Sequence, residues 1–387
     1  MNKPMRQLPV ARPILGEEEA EATRRVILSG WVTQGPEVAR FEEEFAAYVG
    51  APHACAVSNC TTALHMALIA IGVAPGDEII TVSHSFIATA NAIRYCGAIP
   101  VFVDIAEHSF NIDPEKIAAA ITPRTKAILC VHQLGMPCDL APIMAIAAEH
   151  GLKVIEDAAC ASGSEILVDG EWQRIGRCHA DIACFSFHPR KVITTGDGGM
   201  LTTRNPEYDR HFRLLRQHAM SVPDTVRHGA AKVIFESYET LGYNYRMTDV
   251  QAAIGRVQLA RLPEILSRRR FLAALYTTRL SALDIAPPAE PNWARSNWQS
   301  YCVTLPERAD QIEIMQALLD RNISTRRGVM NTHLEPAYAH AGSFRTSGDL
   351  ANSERAQNRS VILPLFVQMS EDDVHYVVDE LAAALAA

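Results

Sequence analysis

The sequence predicts an α/β protein: a large domain built on a mostly parallel sheet of seven strands, followed by a smaller C-terminal α+β domain. Three observations lead there. Between about residues 54 and 204, short β-rich runs alternate with helix-like stretches, as strands joined by helical crossovers do. Several of these runs are continuously apolar rather than alternating, which suits strands covered on both faces. The chain has 387 residues, 48% hydrophobic and 21% charged, enough for two cores and too apolar for a disordered chain.

The strands expected, in order, are Cys55–Val57, Ile79–Val82, Pro100–Val103, Ala127–Val131, Lys153–Glu156, Ile182–Phe187 and Gly199–Thr203. Ala/Leu-rich or amphipathic pieces such as Thr61–Ile71 and Pro142–His150 supply helices between them. The region near 205–275 reads as helical, and its basic cluster Arg268–Arg270 reads as a solvated helix face. The proline-containing stretch Ile285–Asn292 leads to Tyr301–Leu305 as a strand, Gln311–Arg321 as a helix and Asp372–Ala386 as a closing helix. The division is set at residues 1–265 for the large domain and 266–387 for the small one.

The formal net charge is -8, so the chain offers no global positive surface for nucleic acid. An anionic ligand must be held by helix N-termini, backbone N–H groups and single arginines. The nine cysteines include no CxxC pair. They read as reduced thiols of a cytosolic protein, and the spacings Cys130/Cys138 and Cys178/Cys184 do not resemble a zinc site. The first twenty residues contain no apolar core of a signal peptide. The longest apolar stretch, Ala63–Pro75, is too short to span a bilayer. A cytoplasmic enzyme with no membrane contact is expected.

Four motifs fall where ligands collect in open α/β sheets, beyond the carboxyl ends of strands. In SNCTTALHMAL (58–68), Thr61 or Thr62 is placed to cap a helix whose free N–H groups make a phosphate cradle; taken alone, the run reads rather as an ordinary capped helix. In HSFIATAN (84–91), Phe86 follows a strand and is placed to stack on a flat ring, or simply to pack in the core. In KVIEDAAC (153–160), Asp157 ends an apolar strand. A buried carboxylate needs a partner, and a protonated pyridine nitrogen is one; capping the next helix is the other reading. In CFSFHPRKVITTGDGGM (184–200), His188-Pro189 breaks a strand, Ser186 can donate to a phosphate, and Lys191 sits in a loop over the same edge, able to form an imine with an aldehyde. The glycines follow the lysine, the reverse of a P-loop.

Together these residues resemble the DegT/DnrJ/EryC1/StrS aminotransferases, sugar aminotransferases of the fold-type I class dependent on pyridoxal 5′-phosphate (PLP). The resemblance spans nearly the whole chain: GWVTQGP (30–36) with FEEEF (41–45), CTTALHMAL, GDEIITVSHSFIATANAI, GAIPVFVDI, TPRTKAILCVHQLG, VIEDAAC, FSFHPRK with TTGDGGM, GYNYRMTDVQAAIGRVQL and ILPL occur in family order. It implies that Lys191 is the Schiff-base lysine and proton shuttle, that Asp157 pairs with the pyridine nitrogen, and that Phe86 stacks on the ring. Ser186, Thr61 and the backbone at Cys60–Thr61 then hold the phosphate. Asn244 would reach the phosphate in a neighbouring subunit, which implies a homodimer with shared sites. Two positions depart from the family pattern. Cys60 stands where glycine is usual, and Cys160 where glutamine or histidine usually bonds near the coenzyme's phenolic oxygen. A thiol is a weak donor and acceptor, so Cys160 does not fully replace an amide.

The resemblance implies transamination from glutamate to a nucleotide-linked keto sugar, specifically a 4-keto-6-deoxyhexose. Arg326 and Arg327 are the candidates for its diphosphate, or else a solvated surface pair. Trp31, Thr33, His188 and His333 are candidates for lining the sugar pocket. Three other activities are to be weighed: amination of a keto-cyclitol, a PLP-dependent sugar dehydratase, and a non-catalytic regulator. Relatives that dehydrate carry histidine in place of the lysine, and Lys191 is present here.

Overall fold

A computed structural model describes residues 7–107, 109–222 and 232–386. The strands are β1 (His53–Val57), β2 (Glu78–Val82), β3 (Ile99–Val103), β4 (Thr125–Val131), β5 (Lys153–Asp157), β6 (Glu165–Val168), β7 (Glu171–Arg174), β8 (Ile182–Ser186), β9 (Gly199–Thr203), β10 (Ala294–Arg295), β11 (Tyr301–Thr304), β12 (Arg326–Arg327), β13 (Arg345–Thr346) and β14 (Ser360–Leu363). The central sheet runs in the order β1-β9-β8-β5-β4-β2-β3-β13. β9 is antiparallel to both of its neighbours, and the other pairings are parallel.

All seven expected strands form, and the sheet has eight rather than seven because β13 returns from the C-terminal part to pair with β3. That two-residue strand carries no apolar run to betray it. Arg345 anchors it by donating to the buried carboxylate of Glu78 at 2.8 Å.

Helices cover both faces of the sheet. Pro36–Val49 inserts Phe41 and Phe45 against Phe185 and Phe187 of the β8 region, with ring centroids 5.0–5.6 Å apart. The 32-residue helix Asp249–Leu280 serves two cores. Leu259, Leu262, Ile265 and Leu266 pack in the first, and Leu272, Ala273, Tyr276 and Leu280 in the second. The second core gathers β11, β14, the helix Gln311–Asp320 and the closing helix Glu371–Ala386. The division read at 265/266 falls within the long helix. Among the described residues no helix is long and apolar enough to cross a membrane.

Two expectations need correction. The 205–275 region is not helical throughout. Helix Pro206–Leu215 ends, and the chain then runs through extended bridges, Gln217 with Asn244 and Met220 with Tyr238, before the long helix begins. His218 and Ala219 at positive φ turn the chain there. Nor are Arg268–Arg270 a solvated face. Arg269 is buried and donates to the carbonyls of Trp298 (2.8 Å) and Gln299 (2.7 Å), while Arg268 and Arg270 donate to those of Met369 and Ser296. These carbonyls lie in irregular chain and have no ladder partner to satisfy them, so arginines do it.

Glu42 ties three elements together. Its carboxylate accepts from Ala56 N of β1 (2.9 Å), Arg213 (2.7 Å) and Arg216, and both arginines also donate to β1 carbonyls. Burial pushes the Glu42 pKa up, but the two arginines outweigh it and hold the carboxyl below its ordinary 4.5. A depressed carboxyl contributes stability above its unfolded pKa and loses it as pH falls through the folded value. Glu42→Gln strands the buried Arg216 guanidinium, at a cost of about 3–5 kcal/mol. Urea denaturation at pH 7 should show this loss, and the gap between variant and wild type should narrow as the pH drops below 4.5.

Candidate functional site

The parallel arrangement brings the carboxyl ends of β1, β2, β5 and β8 to one edge of the sheet, where β9 begins. Gly199, first in β9, pairs with Val57 on one side and Ser186 on the other. A Cβ on Gly199 would lie 2.5 Å from the backbone of Asn59 and 2.8 Å from Cys60 N. Only glycine therefore lets the turn after β1 fold back across this point.

That turn starts the helix Cys60–Ala70. Its cap is Asn59, not Thr61 or Thr62: Asn59 Oδ1 accepts from Thr62 N at 2.9 Å, and Thr62 Oγ1 accepts from Asn59 N. Asparagine at the cap leaves the Thr61 hydroxyl uncommitted. Among the described residues nothing accepts from Cys60 N, Thr61 N or the Thr61 hydroxyl. Ser186, at the end of β8, is buried. A free helix N-terminus with a hydroxyl beside it can hold an oxyanion.

Asp157 ends β5 and is 5% exposed. Its Oδ2 accepts from Thr89 Oγ1 at 2.8 Å and its Oδ1 from Ala159 N at 3.2 Å. Burial pushes its pKa above the usual carboxylate range; the Thr89 and Ala159 bonds and the charge of Lys191 pull the other way. Among the described residues Asp157 has no salt-bridge partner. It is an acid that burial favours neutral until a cation arrives.

Lys191 follows a turn in which its N–H donates to His188 O at 2.8 Å. Its Nζ lies 3.1 Å from Cys160 Sγ. Burial lowers the ammonium's pKa, but the sulfur of Cys160, then Cys60 and Asp157, more than offset that, and the pKa stands above its ordinary value. Phe86, past the end of β2, is 62% exposed, a large aromatic facing away from the core.

The substrate candidates divide. Trp31 Nε1 donates to Gln34 O at 3.1 Å, folding the loop so tightly that a Cβ on Gly35 would fall 2.1 Å from that nitrogen. Thr33 O accepts from Asp249 N, and Asp249 Oδ1 accepts from Gly35 N and Val38 N, pinning the loop to the long helix. His333 reaches the same sheet edge. Its Nδ1 is 2.6 Å from Ser83 Oγ and its Nε2 3.2 Å from Glu354. His188 is spent on its own turn, with Nδ1 accepting from Arg190 N. Arg326 and Arg327 are exposed on β12, in the three-stranded sheet β11-β14-β12, and Arg327 pairs with Glu335 at 3.3 Å. Asn244 is exposed on the strip that bridges to Gln217.

Sequence reasoning missed the residues that brace this edge. Asn297 Nδ2 donates to Cys160 O (2.7 Å) and Ser162 O (3.0 Å), and Gln299 Nε2 donates to Arg190 O (2.9 Å). Both come from a segment more than a hundred residues downstream, and no local pattern announces them. Thr89 stood inside a quoted motif, but its partner is 68 positions away.

Residues 13–382 match the model of the DegT/DnrJ/EryC1/StrS aminotransferase family. The spore coat polysaccharide biosynthesis protein SpsC of Bacillus subtilis (strain 168) is 40% identical over 377 residues, covering 96% of this chain and 95% of its own. The crystal structure of the aminotransferase TlmJ from Streptoalloteichus hindustanus superposes with a TM-score of 0.89 at 35% identity, covering 98% of this chain and 99% of that one. DesI, solved in the presence of its TDP-sugar product, gives 0.85 at 30% identity, covering 98% and 93%. With a sheet edge that gathers a lysine, a buried acid and an open helix N-terminus, and a match across nearly its full length, the chain belongs to the DegT/DnrJ/EryC1/StrS aminotransferase family, whose enzymes are PLP-dependent sugar aminotransferases.

Proposed function

We propose that the protein transfers the amino group of glutamate to a nucleotide-linked 4-keto-6-deoxyhexose, using PLP held at the carboxyl edge of the central sheet. The observation that carries this reading is the buried Asp157 carboxylate, held by neutral donors alone, on the same edge as Lys191. The donor set fits PLP group by group. The open N–H groups of Cys60 and Thr61, with the Ser186 hydroxyl, suit a phosphate. Asp157 suits a protonated ring nitrogen, and the exposed ring of Phe86 suits a flat face. When bound, PLP supplies an aldehyde that accepts the amino group and a ring that draws off electron density from the reacting carbon.

The chain's residues do the rest. Lys191 Nζ would hold the coenzyme through its aldehyde and, once freed, would carry the proton between the donor's Cα and the coenzyme, as general base and then acid. Asp157 would face the ring nitrogen and favour its protonated form. Cys160 Sγ, 3.1 Å from Nζ, restrains where the amine rests. Glutamate would leave as 2-oxoglutarate, its keto oxygen supplied by water, and the same residues would serve the reverse half-reaction, in which the keto carbon of the sugar takes up the amino group and its oxygen leaves as water. The TDP-sugar product present with DesI supports a nucleotide-linked acceptor. Trp31 and Thr33, on their pinned loop, and His333 are proposed to face the sugar, and the exposed Arg326 and Arg327 of β12 to take the diphosphate.

We further propose a homodimer with shared sites. Val233, Phe235 and Leu241 are 85%, 91% and 88% exposed, on the strip that carries Asn244. Apolar side chains this open on one strip suit a covered surface, and a second copy laid there would bring Asn244 to the neighbouring phosphate.

Three outcomes are expected. Borohydride treatment of the wild-type holoprotein fixes the coenzyme covalently on the peptide containing Lys191, and Lys191→Ala shows neither trapping nor turnover; trapping elsewhere in the chain would falsify the assignment. Asp157→Asn keeps its melting temperature but loses about 100- to 1,000-fold in kcat, the effect of removing one preorganised charge partner; near-normal turnover removes that role. Leu241→Asp shifts the sedimenting species from dimer to monomer and weakens coenzyme retention. A wild-type protein that sediments as a monomer at all concentrations ends the shared-site reading.

A further inference from the structure

Asp157 is gripped by a second element of the fold through a chain of hydroxyls. Thr89 Oγ1 lies 2.8 Å from Asp157 Oδ2, and Ser85 Oγ lies 2.7 Å from Thr89 Oγ1. Both hydroxyls are 1–2% exposed. Thr89 has one proton, and the carboxylate accepts only, so Thr89 donates to Asp157. Ser85 must then donate to Thr89. The two bonds point the same way, and each polarises the next, so the last is stronger than an isolated hydroxyl bond would be.

The placement of this chain ties it to the rest of the site. Ser85 and Thr89 flank Phe86 on one turn at the start of the helix Ala88–Tyr95, closed by Thr89 N donating to Phe86 O at 3.1 Å. The turn that presents the aromatic ring is therefore the same turn that clamps the acid. Ser85 lies ahead of the helix and Thr89 is its second residue, and the bend between them brings the two hydroxyls to 2.7 Å.

We propose that Thr89, backed by Ser85, is a positioning residue: it fixes the orientation of Asp157 and biases the buried acid toward its ionised form, which a cationic ring nitrogen would complete. This rests on the reading of Asp157 as the partner of that nitrogen. The hydroxyl chain opposes the burial that favours the neutral acid. The other titratable groups facing Asp157 are Lys191, His132, Cys60 and Cys184, and none of them makes a hydrogen bond to its oxygens. Thr89 is the one side chain among the described residues that does.

The test compares Thr89→Val, Thr89→Ser and Ser85→Ala with wild type as coenzyme-loaded proteins. The readouts are the pH titration of the bound coenzyme's absorbance and the pH dependence of kcat and of KM for glutamate. Thr89→Val removes the donor, so Asp157 holds its own proton to higher pH. The acid limb of both titrations should move up by about one pH unit, and kcat should fall about 10- to 100-fold with KM little changed, the equivalent of a lost hydrogen bond to a charged group. Thr89→Ser keeps the donor and should return both readouts to wild type. Ser85→Ala removes only the backing bond and should shift the acid limb the same way by less. An unshifted acid limb in Thr89→Val overturns the proposal. If Thr89→Val does not fold, an unshifted limb in Ser85→Ala together with wild-type behaviour lost in Thr89→Ser overturns it equally. A wild-type protein in which borohydride traps no coenzyme at Lys191 sinks the functional reading itself. Trapping with unshifted variants sinks this inference alone.

Discussion

A buried carboxylate with no cation in contact is the constraint around which the sheet edge is organised. Taking a carboxylate out of water is costly, and the usual answers are a salt bridge or protonation. Asp157 has neither a salt bridge nor a charged donor among the described residues, only a threonine hydroxyl and a backbone N–H. The contrast with Glu42 is instructive. Glu42 is as deeply buried but carries two arginines, and its pKa falls, whereas that of Asp157 rises. One carboxylate is finished as a structural tie. The other is left with capacity for a partner that the protein itself does not contain, which is how a binding group differs from a scaffold group.

The strands that build this edge were legible because parallel strands buried on both faces carry apolar runs, as in Ala127–Val131 of β4 and Ile182–Phe185 of β8. Asp157, at the end of β5, and Lys191, in the loop after β8, stood out as candidates because each comes where a β-rich run gives way to a break. What escaped has a common physical cause: it depends on pairings between distant parts of the chain. The strip 232–247 was read as helical because nothing local records that Gln217 will pair with Asn244. Arg269 looked like a surface charge because its acceptors, the carbonyls of Trp298 and Gln299, exist only once the second core folds against the long helix. β13 is two residues long and is specified by Glu78 rather than by its own pattern. The cap at Asn59 was missed by two or three positions, and the miss matters. A cap at Thr61 would have used the hydroxyl that the observed cap leaves free for a ligand.

The two cores meet at the site through side chains rather than through a sheet. Asn297 and Gln299 lie just ahead of β11, on the C-terminal side of the long helix, and they grip the backbones of the Cys160 turn and the Lys191 loop. Gly135 allows this closeness, since a Cβ there would overlap Asn297 Oδ1 at 1.9 Å. The lysine loop is thus held from the large sheet by the His188 turn and from the small domain by Gln299. Gln299 couples the second core to the backbone of Arg190, beside Lys191.

The same logic reaches the Trp31–Gly35 loop. Asp249 stands at the start of the long helix, and its carboxylate accepts three N–H groups of the turn that opens Pro36–Val49 while its own N–H holds Thr33 O. The helix it begins continues through both cores to Leu280. Trp31 and Thr33 are therefore referenced to the same rigid rod that supports the second core, and so are Asn297 and Gln299 through Arg269. Loop, lysine turn and small domain share one ruler. The Trp31 loop and the turn that places Lys191 Nζ against Cys160 are thus referenced to a single helix, so the distance between them does not depend on the flexibility of either loop.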